Sequence, residues 1–182
     1  MKTLLTLALG SFVAAAAAQH AHAPAPTPYA GQEQRAIKSL SEAEVRDLLS
    51  GQGMGLAKAA ELNGYPGPAH VLEHADALGL SQRQREATRE LMERHKARAR
   101  DLGRELLAAE QRLDRAFATR KIDTASLAEL SAEIGRRQAE LRQEHLRTHL
   151  EQTALLDERQ VRHYAVLRGY TGGAQHPHGG HR

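Results

Sequence analysis

The stretch SQRQREATRELMERHKARARDLGRELLAAEQRLDRAFAT, residues 81–119, decides the fold. A stripe runs through Leu91, His95, Ala99, Leu102, Leu106, Ala109, Leu113 and Ala116 in steps of four and three that alternate from His95 on. That spacing keeps one face of a helix turned to a partner, as in a heptad seam. At the α-helical rise, a helix of this length is roughly 55–60 Å long. Ser81 can cap its start, and Gln84 can reach back to complete a capping box. Ten Arg or Lys lie between Arg83 and Arg115, with acids among them. Glu86–Arg89 and Glu90–Arg94 have the spacing of helix-surface pairs, a solvated face. Much of the stripe is Ala or His, so the seam is narrow and weakly apolar.

Beyond it, Arg120-Lys121-Ile122 reads as a tip, and Asp123 can cap a second arm running to about residue 155. Leu127, Leu130, Ile134, Leu141, His145, Thr148 and Leu155 form its inward stripe, which Gln138 interrupts. The two arms are expected to pack antiparallel at a shallow angle. Leu156-Asp157-Glu158-Arg159-Gln160 then repeats the opening Leu80-Ser81-Gln82-Arg83-Gln84, and predicts a last helix to residue 168. Leu156 can staple onto Val161 there. Ahead of the hairpin, cap and breaker signals predict short helices over residues 41–49, 54–62 and 69–78. The expected fold class is all-α: a long antiparallel helical hairpin with short flanking helices. Aromatic residues are 3% of the chain and Trp is absent, so a thin helical layer is expected, with a second copy of the chain completing its burial.

The ends read differently. Met1-Lys2, an apolar run from Leu4 to Val13 and small residues to Ala18 predict a cleavable signal peptide over residues 1–18, too short for a membrane span. Residues 19–39 read as a disordered leader, 40–168 as the helical domain and 169–182 as a disordered Gly- and His-rich tail. The chain has no Cys, which excludes a lipid-anchoring Cys, disulfides and thiolate metal sites. With the export signal this predicts a bacterial periplasm or secretion, the periplasm being the expected location. A net charge of +3 with interleaved acids and bases argues against a nucleic-acid partner. No Cys nucleophile or Gly-x-Ser-x-Gly turn is present. His70-Val71-Leu72-Glu73-His74 has the order of an inverted zinc-peptidase motif, but no third ligand or large catalytic domain accompanies it. An enzyme is not expected.

The two Leu-[Ser/Asp]-x-x-Gln stretches, Leu80–Gln84 and Leu156–Gln160, bracket a charged hairpin in an exported, Cys-free chain. Over residues 71–170 this resembles the Spy/CpxP family of bacterial periplasmic proteins. The family motif carries Thr where this chain has Ser81 and Asp157; both are caps, so the role is kept. The resemblance implies a four-helix protomer pairing into a curved antiparallel homodimer. It implies either an ATP-independent holdase chaperone of the envelope stress response, acting on unfolded envelope proteins, or a heavy-metal sensor or resistance protein. Some relatives partner a membrane sensor kinase or regulator. The residues themselves support the first reading: Leu91, Leu102, Leu106 and Leu113, flanked by Arg98 and Arg104, make a diluted apolar stripe suited to loose client binding.

Histidine supports the second. Of eleven His, His70/His74 and His145/His149 have helical i, i+4 spacing, with Glu73 beside the first pair. Such spacing can present two nitrogens to one ion. The bland alternative is a surface or seam position that binds nothing. His176, His178 and His181 in the tail would bind Cu²⁺, Ni²⁺ or Zn²⁺ weakly. No cofactor is required by these readings; Zn, Ni, Co or Cu are the candidate ions.

Overall fold

The computed structural model describes residues 27–170. Their helices are α1 (Glu42–Ser50), α2 (Lys58–Glu61), α3 (Pro68–Glu73), α4 (Gln82–Ala118), α5 (Thr124–Ala154) and α6 (Glu158–Leu167), with no strand among the described residues. The chain divides after Gly31 into two units. Of the first, residues 27–31 form a turn closed by the Ala30 N–H on the Thr27 carbonyl at 3.0 Å.

Ser41, Ser81, Asp123 and Asp157 each accept a hydrogen bond from the N–H three residues on, and each donates its own backbone N–H to that residue's side chain, completing a capping box. Side chains thus satisfy donors that a helix start leaves open. The long arms run antiparallel as expected, in a register marked by Thr88 with Gln152, His95 with Glu144, Glu105 with Arg137 and Arg112 with Glu133.

The repeated pentapeptides tie the open end of the hairpin together. Gln84 Nε2 donates to the Leu155 carbonyl at 2.9 Å and to Gln160 Oε1 at 2.8 Å. Gln160 Nε2 donates to the Leu78 carbonyl at 3.3 Å and back to Gln84 Oε1 at 3.2 Å. Each Gln therefore closes its own helix start and clasps the other's. Gln160 is buried, so Gln160→Ala should cost about 2 kcal/mol in urea unfolding, with Gln84→Ala largely non-additive to it. Simple additivity would mean that the clasp is not a unit.

Two apolar clusters flank the middle of the hairpin. One joins Ile37 and Leu48 to Ala99, Leu102, Leu106, Leu107 and Ala109 of α4 and Ile134 and Leu141 of α5. The other joins Val71, Ala75, Leu78 and Leu80 to Tyr164 of α6. The first corrects an expectation. Leu91, Leu102 and Leu106, read as a stripe offered to clients, are 4%, 2% and 6% exposed. The seam is closed from within the chain: α1 lies on α4 so closely that a Cβ on Gly103 would stand 2.4 Å from the Leu48 carbonyl oxygen. Only Leu113 of the four leucines is half-buried, while Arg98 and Arg104 stay exposed. Within the chain, α1 covers this part of the α4 stripe.

Other expectations shift as well. Six helices stand among the described residues, where the resemblance implies four. Residues 37–39, assigned to a disordered leader, pack on α4: Ile37 is buried, Ser39 Oγ donates to Glu110 at 2.8 Å and Lys38 pairs with Asp114. The helix expected over residues 54–62 shrinks to α2, because Met54 takes a left-handed conformation (φ 47°) between glycines. The helix expected over residues 69–78 ends at Glu73. Leu127, expected inward, is 39% exposed. No helix among the described residues is long and apolar enough to cross a membrane. The signal-peptide reading and His176, His178 and His181 lie outside the described residues.

Candidate metal centre

Between the two apolar clusters the seam turns polar. Thr88 and His95 of α4 and Glu144, His145, Thr148 and Gln152 of α5 are all buried. Beside this stretch lies a cavity of about 470 Å³, bounded by the loop before α2, by α2 and α3, and by the facing sides of α4 and α5. Its lining includes Glu61, His70, Met92, His95, His145 and His149.

Each group arrives by a local cause. His70 comes from α3, which Pro68 starts in its first turn, where a missing N–H costs nothing. Its Nδ1 lies 3.8 Å from Glu61 Oε1. His149 comes from α5 and packs on Gly67; a Cβ there would meet its Cε1 at 2.8 Å. Its Nδ1 donates to the Tyr65 carbonyl at 2.7 Å. A carbonyl only accepts, so Nδ1 carries the hydrogen and Nε2 keeps its lone pair. Glu61 Oε2 is 3.7 Å from His149 Nδ1. Glu61 Oε1 accepts from the hydroxyls of Tyr164 and Tyr170, at 2.5 and 2.9 Å. Tyr170, which the sequence places in the disordered tail, is tied to α2 by this bond. Burial first, and then the Glu61 bond, push the Tyr164 phenol well above its ordinary range, so it stays a donor.

His95 and His145 meet edge to face across the seam, ring centroids 4.7 Å apart. Burial, followed by the neighbouring His95, His149 and Lys96, pushes the His145 imidazole down to about 4. Burial lowers His95 against the opposing bond from Glu144, and burial with Arg168 lowers His70. Neutral imidazoles are the form that ligates. Lys96 also lines the cavity, with its ammonium turned to the Gly51 carbonyl at 3.1 Å and to Gln52.

Two buried polar atoms of the lining have no hydrogen-bond partner: His145 Nε2 and Glu61 Oε2. An imidazole nitrogen and a carboxylate oxygen, each buried without a partner in the lining of one cavity, are donor types that a cation could use. Among the described residues, no three His, Asp or Glu stand together in ligating positions.

His70, His145 and His149 thus come to one cavity. His74 does not: it lies just past the end of α3 and is not part of the lining. Glu73 points to solvent. The peptidase-like order His70-x-x-Glu73-His74 is therefore not presented on one helical face. Sequence reasoning missed Glu61, which carried no motif, and it placed His95 in the seam without reading it as a ligand. The hairpin register was the signal that could have paired His95 with His145.

Residues 53–163 match the family model for heavy-metal resistance, a span that holds Glu61, His70, Met92, His95, His145 and His149. None of the curated proteins and none of the solved structures compared matches the chain. The match covers more than half of the chain, which belongs to the heavy-metal resistance family of the Spy/CpxP-like superfamily.

Proposed function

We propose that this chain binds a divalent transition-metal ion in the histidine cavity and serves heavy-metal resistance in the bacterial periplasm. One observation carries the reading: the unpartnered His145 Nε2 and Glu61 Oε2, buried in the wall of a cavity that His70 and His149 also line. Imidazole-rich donor sets suit Zn²⁺, Ni²⁺, Co²⁺ and Cu²⁺. His145, His149, His70 and Glu61 would hold the ion, and it would supply the positive charge that these donors lack. The leader read at residues 1–18 supports the periplasm.

The experiment is calorimetric titration of the full chain with Ni²⁺, Zn²⁺ and Cu²⁺. A tight site of one ion per chain should survive replacement of His176, His178 and His181 by Ala, and should weaken about tenfold or more in His145→Ala. Binding that vanishes with the tail histidines and ignores His145→Ala would reject the cavity as the site.

The holdase reading has less behind it. Leu91, Leu102 and Leu106, on which it leaned, are core residues beneath α1 or within the hairpin. Exposed Arg98 and Arg104 with half-buried Leu113 remain as its surface. Light scattering of a reduced client at near-stoichiometric protein is where that activity would register.

A further inference from the structure

The seam contact between α4 and α5 bears on the metal reading in a way that neither the family match nor the helical His spacing assigns. Two groups face His95 Nδ1: Glu144 Oε1 at 3.3 Å and Thr148 Oγ1 at 2.9 Å. The Thr148 hydroxyl spends its hydrogen on the Glu144 backbone carbonyl at 2.9 Å, so toward His95 its oxygen can only accept. The Glu144 carboxylate is an acceptor as well, and its other oxygen is held by Arg147. Two acceptors converge on one nitrogen, which must therefore donate. The hydrogen sits on Nδ1, and Nε2 keeps its lone pair.

His95 itself lines the cavity beside His145, whose Nε2 is the unpartnered atom. We propose that His95 is a further ligand of the ion bound there, through Nε2, and that Glu144 and Thr148 are its positioning residues. The ion class is a divalent borderline metal, as for the site on which this inference rests. An imidazole whose other nitrogen is tied to a carboxylate is held in orientation and tautomer before the ion arrives. The sequence marks no residue of α4 as a ligand; with His95 the site spans α2, α3, α4 and α5, and an ion there would cross-link both arms of the hairpin.

The test has two parts, both on the full chain. Long-range ¹H–¹⁵N correlation spectra of metal-free wild type should give His95 the Nδ1–H tautomer. Glu144→Ala combined with Thr148→Val should release it to the Nε2–H form, while Glu144→Gln, whose amide oxygen still accepts, should hold it. Titration with Zn²⁺ should then find binding weakened about tenfold or more in His95→Ala and in Glu144→Ala, and restored toward wild type in Glu144→Gln. An Nε2–H His95 in the wild type overturns the proposal. So does wild-type Zn²⁺ affinity in His95→Ala while His145→Ala loses it, a result that leaves the cavity site standing. A wild-type chain that takes up no Zn²⁺ overturns the metal site and this ligand together.

Discussion

Gly103→Ala should destabilise the protein by about 2 kcal/mol or more, whereas Gly135→Ala should stabilise it by up to about 1 kcal/mol. Both glycines lie inside long helices, where Ala is the better helix former. Propensity alone predicts the same sign for both. Their surroundings differ. A Cβ at Gly135 meets nothing within 4 Å, but at Gly103 it would stand 2.4 Å from the Leu48 carbonyl oxygen and 2.9 Å from the carbonyl carbon. That obstacle is backbone, which cannot rotate away as a side-chain tip would. Either α4 and α1 separate, or Leu48 leaves the cluster that seals Ala99, Leu102 and Leu106. Urea unfolding of both variants decides it. Limited proteolysis of residues 37–57 would report whether α1 lifts before the hairpin unfolds. A stabilised Gly103→Ala would mean that α1 does not rest on α4 as described.

The second large effect is on pH. His145 titrates at about 4 in the folded chain against 6.5 ordinarily. Between those values the unfolded chain binds a proton that the folded chain refuses. Unfolding therefore takes up protons, and stability falls as pH falls through the window. The neutral-state advantage is full above pH 6.5 and gone below about 4. A gap of this size corresponds to about 3 kcal/mol for His145. The groups facing it add to burial in disfavouring a charged His145: His95 and Lys96 on α4, with His149 on its own helix. Chelator-treated protein should lose stability steadily from pH 7.5 to 4.5, and His145→Gln should flatten most of that slope. A flat wild-type profile would mean that His145 is not the buried, unpartnered imidazole described.

Much of the helical frame was legible because capping is local chemistry. Ser81, Asp123 and Asp157 mark helix starts with an oxygen that reaches only three residues, so no tertiary knowledge is needed. The inward stripe of α4 was equally plain from its spacing. What failed was non-local. The role of α1 as a cover depends on Gly103 admitting a backbone, and Gly in a helix reads only as a weak position. Leu107, off the expected stripe, is buried because α1 adds a second contact face. The site followed the same division. His145 and His149 stood out by spacing, but His70 joins them through α3 rather than through a pairing with His74. Glu61 belongs to the set because Tyr164 and Tyr170 return to it from more than one hundred residues later in sequence. His95 needed the register of the two arms, which sets α4 residue 95 against α5 residues 144–148.

The most direct measurement is anomalous diffraction from crystals of the full chain grown with Zn²⁺. We expect one strong peak inside the cavity between α2, α3, α4 and α5, within bonding distance of His145 Nε2. A peak confined to the surface or to the tail histidines, with the cavity free of anomalous density, would contradict the metal-binding reading of this fold.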